Sequence, residues 1–251
     1  MFNSSPIASD PAVETFFLGK IDFEACLALQ RRLVFEASGR ADGQISLLLC
    51  EHPSVITVGR LGSRAHLHLA PRELVSRRLE VRWVNRGGGC LLHAAGQLAV
   101  YPIVPLQWHR FTVGEYLNRL QSGILATLDA LGIAGHTRAD ARGGHGIWGR
   151  TGQLVAFGVA VKSWTTYYGA YINVDPAMQT FRSIDSDPAG RTPASSLSAE
   201  RQKPVKMATV RATIVSHLAN AFGCQRYHLY TGHPLVAQLF GSKHESVGRA
   251  P

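Results

Sequence analysis

The chain has 251 residues, of which 45% are hydrophobic and 17% charged, and its net charge is +9 at pH 7. This composition excludes disorder as the dominant state, because a disordered chain needs low hydrophobicity and high charge. No apolar run approaches the roughly 20 residues of a membrane helix. The N-terminus also lacks the basic and apolar regions of a secretory signal, which favours the cytoplasm.

Basic residues are scattered along the chain rather than gathered in dense tracts. A basic surface attracts acidic partners, and scattered charge favours an acidic protein or a carboxylate-bearing substrate over nucleic acid. We therefore expect neither a nucleic-acid partner nor a membrane partner.

The cysteines and histidines show no metal-binding spacing. The chain contains four cysteines: Cys26, Cys50, Cys90 and Cys224. They form no Cys-x-x-Cys motif, so neither a zinc ribbon nor a dithiol redox site is predicted, and reduced thiols are expected. His66 and His68 have no third ligand at a suitable spacing. The sequence predicts no metal ligands, and we expect no cofactor.

The first half of the chain predicts one helix followed mainly by short strands. Asp22 is a typical N-cap for a helix over residues 23–36. Strands are predicted over residues 45–50, 54–58, 80–85 and 97–102, and a short helix over residues 71–78. The strand over residues 80–85 alternates as a half-buried strand does.

The second half predicts a longer helix, a group of strands and a final helix. Thr112 and Glu115 form a capping box that opens a helix with leucines three or four residues apart. Strands follow over residues 146–149, 153–161 and 166–174, then a long loop over 183–207 and a helix over 207–222. These seven strands and four helices predict one α/β or α+β domain over residues 1–240, with a polar tail over 241–251.

A glycine loop, Arg86-Gly-Gly-Gly, follows a predicted strand. Consecutive glycines let the backbone approach a ligand closely, and their free N–H groups can hold a carbonyl or phosphate oxygen. The loop matches neither a P-loop nor the GxGxxG fingerprint. Alone, such a loop is more often a structural turn than a binding site.

The surroundings of this loop resemble a known family. The relevant segments are Arg86-Gly-Gly-Gly-Cys-Leu-Leu-His93, Gly96-Gln97-Leu98, Tyr101-Pro102-Ile103, Glu51-His52-Pro53, Thr57-Val58-Gly59-Arg60, Gly158, Gly169 and Asn173-Val174. In this order they resemble the signature of the lipoyl(octanoyl) transferases, over about residues 45–190. The resemblance to lipoate–protein ligases is weaker, because their glycine loop has different flanking residues.

The resemblance implies a biotin/lipoate protein ligase-like fold, with a mixed β-sheet flanked by helices. It implies an acyltransferase that moves an octanoyl group from acyl-carrier protein to a lysine of a lipoyl domain. The acceptors would be lipoyl domains of 2-oxoacid dehydrogenase or glycine cleavage proteins. In the family, a cysteine thiolate forms an acyl-enzyme and a lysine lowers the pKa of that cysteine.

The resemblance also implies a substrate site built from three segments that should meet in space. They are Arg86, Gly87, Gly88, Gly89, Cys90, Leu91, Leu92 and His93; Ala156, Phe157 and Gly158; and Gly169, Ala170 and Tyr171.

Two positions depart from the family pattern where its catalysis takes place. Gln153 stands at the family's lysine and Asp187 at its cysteine. Three interpretations remain open. Asp187 acts as general base in a direct transfer, or Cys90 is a relocated thiol rather than a small buried hydrophobe, or catalysis is lost and the fold binds an acylated carrier or a lipoyl domain. An acyl-adenylate mechanism is disfavoured, since the lysine that would hold the adenylate is also replaced by Gln153.

Overall fold

A computed structural model describes residues 11–40, 42–139, 145–186 and 193–236. The strands are β1 (Ala12–Lys20), β2 (Ile45–Glu51), β3 (Val55–Val58), β4 (Glu80–Trp83), β5 (Cys90–His93), β6 (Gln97–Ile103), β7 (His136–Ala139), β8 (His145–Trp148), β9 (Gln153–Lys162), β10 (Thr165–Asn173) and β11 (Arg226–Thr231). The helices are α1 (Phe23–Gly39), α2 (Pro71–Ser76), α3 (Leu106–His109), α4 (Val113–Ala130), α5 (Met178–Phe181), α6 (Leu197–Arg201) and α7 (Met207–Ala221).

Eight strands form one mixed sheet in the order β11-β1-β2-β6-β10-β9-β8-β7. Strand β1 runs parallel to both of its neighbours, and the remaining pairs are antiparallel. A second sheet has the order β4-β3-β5. The predicted mixed sheet flanked by helices is confirmed.

The main sheet is covered on both faces, since successive side chains of a strand point to opposite sides. On β2, Leu48 packs into the cluster that includes the buried face of α1. Its neighbours Leu47 and Leu49 pack into the larger cluster beneath α4 and α7. The cap of α1 forms as predicted, because Asp22 Oδ1 accepts a hydrogen bond from Ala25 N. The capping box at the start of α4 is also present.

Several sequence predictions about the elements are wrong. The described residues contain eleven strands rather than seven. The four that were missed are either four residues long, as β5 and β7 are, or pair at the edge of the sheet, as β1 and β11 do. Strand β4 is mostly exposed rather than half-buried, because it is an edge of the small sheet.

The predicted long loop over residues 183–207 contains the helix α6, which Ser196 caps. The predicted tail and its boundary at residue 240 lie outside the described residues. Within the described ranges, no helix combines the length and the apolarity needed to cross a membrane.

Candidate functional site

The glycine loop of residues 86–89 lies between the two sheets. Three amides that follow β3 donate to its carbonyls at 3.0–3.1 Å: Gly59 N to Gly89 O, Arg60 N to Arg86 O, and Leu61 N to Gly88 O. On the opposite side, Gly87 N donates to Val159 O of β9 at 2.9 Å. The loop therefore connects the small sheet to the middle of the large one.

Arg86 is fully buried and its guanidinium organises the loop. Its Nη1 donates to Gly87 O and Gly89 O, and its Nη2 donates to Thr57 O and Thr57 Oγ1, all at 2.7–3.0 Å. Among the described residues, no carboxylate pairs with it and its Nε has no hydrogen-bond partner. Burial lowers the pKa of this guanidinium, yet arginine stays protonated in proteins. A buried cation of this kind stabilises negative charge that develops beside it.

Strands β9 and β10 bring the other two predicted segments to this loop. Gly158 pairs with Gly169 in the β9–β10 register. A Cβ on Gly158 would lie 2.7 Å from Arg86 Cδ and 3.0 Å from Gly87 O. The ring of His93 lies 4.7 Å from that of Tyr171, centroid to centroid. The three segments that the sequence predicted to meet therefore lie together.

We expect Gly158→Ala to lower the free energy of unfolding by about 1–3 kcal/mol. The added methyl would clash with the Arg86 side chain, which its hydrogen bonds hold in place, and with the Gly87 carbonyl. Gly39→Ala is the matched control, since no heavy atom lies within 4 Å of the Cβ position at the end of α1. Denaturant unfolding of the two variants and the parent measures the difference. Equal stability of the two variants would contradict the packing described for the loop.

A buried polar chain runs from the loop across both sheets. His93 Nδ1 lies 3.2 Å from Gln97 Oε1, and its Nε2 lies 2.8 Å from Thr57 Oγ1. Because the Gln97 oxygen can only accept, His93 carries its proton on Nδ1 and accepts from the Thr57 hydroxyl. Gln97 Nε2 in turn donates to Asn173 Oδ1 at 2.9 Å. These hydrogen bonds fix the neutral form and the orientation of His93.

We expect the stability of the protein to fall as the pH drops below about 6.5, the ordinary pKa of histidine. Burial lowers the pKa of His52, and it lowers that of His93 well below the usual range. Below pH 6.5 the unfolded chain therefore binds protons that the folded chain does not. Each of these histidines then removes up to about 1.4 kcal/mol of unfolding free energy per pH unit, until its folded pKa is reached.

Denaturant unfolding between pH 7.5 and pH 5.5, in steps of about half a unit, measures this slope. His228→Gln, at an exposed position of β11, is the control and should keep the slope of the parent. A flat stability profile below pH 6.5 would contradict the neutral, buried state of both rings.

Gln153, which the resemblance assigns to the family's lysine position, is a buried neutral amide. Gln153 begins β9, and its Oε1 accepts a hydrogen bond of 2.6 Å from Ser186 Oγ. Ser186 directly precedes Asp187, which itself lies outside the described residues. Lys162, the nearest lysine in sequence to Gln153, is exposed at the far end of the same strand. The described residues that hydrogen-bond to Gln153 are Ser186, Pro193 and Ser195, and none of them is cationic.

Cys90 is not placed as an active thiol. It is buried in the apolar cluster of the small sheet, and its Sγ donates to Ser63 O. Burial raises the pKa of this thiol, which lowers the fraction of reactive thiolate. The structure therefore favours the small buried hydrophobe over the relocated nucleophile.

A narrow cavity lies beside Gln153, between β5, β9, β10 and α5. Its lining residues are Leu91, Leu92, Gln97, Gln153, Ala156, Tyr171, Asn173, Phe181, Ile184, Ser186 and Ala194. The cavity measures about 10 Å³, which is close to the space of one water molecule. An acyl chain that enters here must displace side chains, and Tyr171 is the largest of them.

The cavity includes only some of the predicted site residues. Phe157 and Ala170 pack in the core beneath α4 and α7, on the sheet face opposite Ala156 and Tyr171. Alternation along β9 and β10 produces this split. Seven lining or supporting residues were not predicted to belong to the site: Thr57, Gln97, Asn173, Phe181, Ile184, Ser186 and Ala194. The first three belong to the motifs quoted for the family resemblance, so that signal was present in the sequence.

Comparison with known proteins identifies the family. The family model for the lipoyl protein ligase A/B catalytic domain matches residues 22–219. Octanoyltransferases from Chloroflexus aggregans and Geobacter metallireducens are each 36% identical to the chain, covering 82% and 78% of it and 93% and 87% of their own lengths. A lipoate-protein ligase A bound with ATP superposes with a TM-score of 0.72 at 10% identity, over 93% of this chain and 95% of that one. The chain belongs to the lipoyl protein ligase A/B catalytic domain family, together with these octanoyltransferases.

Proposed function

We propose that this chain is a cytoplasmic octanoyltransferase that moves an octanoyl group from acyl-carrier protein to a lysine of a lipoyl domain. The observation that carries the proposal is the glycine loop, held against β9 around the buried charge of Arg86. The relatives named octanoyltransferase, which match most of the chain, support the same activity. The net charge of +9 suits acidic donor and acceptor domains.

Without the thiol and lysine of the family, the transfer is direct. The ε-amine of the acceptor lysine attacks the thioester carbonyl, the new C–N bond forms, and the C–S bond breaks. Asp187 takes the proton that the nitrogen loses and passes it to the departing thiolate. The positive charge of Arg86 stabilises the carbonyl oxygen as it becomes negative. Holding the two reactants together can supply an effective concentration of about 10⁵ M or more.

The test is octanoyl transfer from octanoyl-acyl-carrier protein to an apo lipoyl domain, followed by the mass of the lipoyl domain. We expect Asp187→Ala to slow transfer by about 10²-fold or more, the usual contribution of a positioned general base. Asp185→Asn is the matched control two residues away, and it removes a carboxylate that pairs with His68 instead. An Asp187→Ala variant as fast as the parent would remove Asp187 from the mechanism.

A second candidate is a non-catalytic protein that binds an acylated carrier or a lipoyl domain. The hydrogen bond between Gln153 and Ser186 favours this second candidate, because both groups are neutral and neither can activate a thiol as a cation would. In the same assay this candidate predicts no octanoyl on the lipoyl domain. A titration of the chain with octanoyl-acyl-carrier protein would then still give saturable binding.

A further inference from the structure

A second cluster of reactive side chains lies behind the candidate site, beneath α1. It consists of Cys26 on α1, Cys50 near the end of β2, and His52 just after that strand. All three are buried, with at most 1% of each exposed. The His52 ring lies 5.8 Å from that of His93, so the cluster borders the polar chain of the glycine loop. The proposed acyl transfer uses none of the three side chains.

Two of the three distances within this cluster match those between ligands of one tetrahedral metal ion, and the third, from Cys26 Sγ to His52 Nε2, is at most 4.8 Å. Bonds of about 2.3 Å to sulfur and about 2.0 Å to nitrogen place two sulfurs about 3.8 Å apart, and a sulfur and a nitrogen about 3.6 Å apart. Cys26 Sγ and Cys50 Sγ are 3.9 Å apart, and Cys50 Sγ lies 3.6 Å from His52 Nε2. All three ligand atoms lie within 4.8 Å of one another.

His52 is oriented as metal-binding histidines are. Its Nδ1 lies 2.7 Å from the carbonyl oxygen of Ile21. Because a carbonyl oxygen can only accept a hydrogen bond, Nδ1 carries the proton. Nε2 is therefore unprotonated: it accepts a hydrogen bond from the Tyr101 hydroxyl at 2.8 Å and lies 3.6 Å from Cys50 Sγ. A carbonyl on the second ring nitrogen is the usual support for a histidine that binds a metal. An ion at Nε2 would replace the hydrogen bond from Tyr101, whose oxygen then faces the fourth position.

We propose that Cys26, Cys50 and His52 bind one zinc ion, with the Tyr101 oxygen facing the fourth position. Two S–H bonds break and two zinc–sulfur bonds form, and two protons leave to solvent. Two thiolates balance the double charge of the ion, so the buried site is neutral overall. Two sulfurs and one imidazole are a ligand set typical of zinc. The ion links α1 to β2, next to the His93 ring that contacts the residues of the glycine loop.

Spacing in the sequence gave no indication of this site, because the two cysteines are 24 positions apart. The parallel pairing of β1 with β2, and the packing of α1 against the sheet, bring them together.

The test is the metal content and the cobalt spectrum of the full chain. After stripping with a chelator and reconstitution with zinc chloride, we expect one tightly held zinc per chain by elemental mass spectrometry. Reconstitution with Co²⁺ should give near-ultraviolet sulfur-to-cobalt absorption of the intensity expected for two thiolates. Zinc should also raise the melting temperature, and the chelator should reverse the shift, since a ligand that binds the folded state stabilises it.

Cys26→Ser and Cys50→Ser should each lose stoichiometric zinc, whereas the matched control Cys224→Ser, at a buried cysteine in another cluster, should keep it. The cobalt spectrum of the parent counts thiolates directly, so the proposal stays testable even where a serine variant does not fold. Substoichiometric zinc in the reconstituted parent, a cobalt spectrum without sulfur bands, or full zinc retention in both serine variants would overturn it. These readouts do not depend on octanoyl transfer, so their failure is distinct from a failure of the proposed function.

Discussion

The double substitution Gln153→Lys with Asp187→Cys is expected to give this chain a covalent octanoyl adduct after incubation with octanoyl-acyl-carrier protein. The side chain at position 153 reaches Ser186, which directly precedes position 187. Because the resemblance assigns positions 153 and 187 to the family's lysine and cysteine, we expect a lysine at 153 to act on a thiol at 187. A neighbouring positive charge lowers a pKa by about 1–3 units, which raises the thiolate fraction roughly 10- to 1,000-fold.

Each single change should do much less, because the two groups act as a unit. A thiol without the cation stays mostly protonated, and a lysine without the thiol has nothing to activate. Gln153→Lys with Asp187→Ser is the matched control, since it keeps the cation and removes the sulfur. Intact mass before and after hydroxylamine, with peptide mapping to position 187, measures the adduct. An adduct at Cys90 instead, or none at all, would contradict the assignment of these two positions to the family's lysine and cysteine.

Exchanging Arg86 for methionine is expected to release the glycine loop and to lower the free energy of unfolding by about 2–4 kcal/mol. Methionine leaves the carbonyls of Gly87, Gly89 and Thr57 without the guanidinium donors they have now. Each buried acceptor left unpaired costs about 1–3 kcal/mol, partly offset because Gly89 O keeps its bond from Gly59 N and because a buried charge is also removed. Octanoyl transfer should be lost with the loop, since the proposed mechanism uses the charge of Arg86 to stabilise the carbonyl oxygen of the thioester.

Arg86→Lys should recover little of this loss, because an ammonium cannot reproduce the planar fork that reaches four acceptors. Arg60→Met is the matched control, since Arg60 is exposed and bonds Asn85 at the edge of the same loop. We expect it to cost less than about 1 kcal/mol. Denaturant unfolding of all three variants measures these differences. Arg86→Met as stable as Arg60→Met would show that the guanidinium does not hold the loop.

Local signals in the sequence were enough to predict the four longest helices and the central strands, but not the short helices α3, α5 and α6. Asp22 and the Thr112–Glu115 capping box mark helix starts through contacts three residues apart, so a short window contains them. The glycine loop and its approach to Gly158 were predicted from several motifs in order rather than from local chemistry. Strand β11 was missed because it is exposed and because its partner, β1, lies about 200 residues earlier.

The interior of the candidate site depends on register across the sheet, which local patterns do not determine. The contact between His93 and Thr57 joins β5 to β3, and that between Gln97 and Asn173 joins β6 to β10. The approach of Ser186 to Gln153 depends on the path of the chain after α5. Placing Phe157 in the site together with Ala156 was an avoidable error, because side chains alternate along β9 and these two neighbours point to opposite faces of the sheet.

The central claim is octanoyl transfer without a covalent intermediate, and a single-turnover time course tests it most directly. The chain is mixed in excess with octanoyl-acyl-carrier protein and an apo lipoyl domain, and the intact masses of all three proteins are followed. We predict that the lipoyl domain gains its octanoyl group at the rate at which the carrier loses it, while the mass of the chain stays constant. An octanoyl adduct on the chain that hydroxylamine removes, or a carrier that keeps its octanoyl group throughout, would contradict the claim.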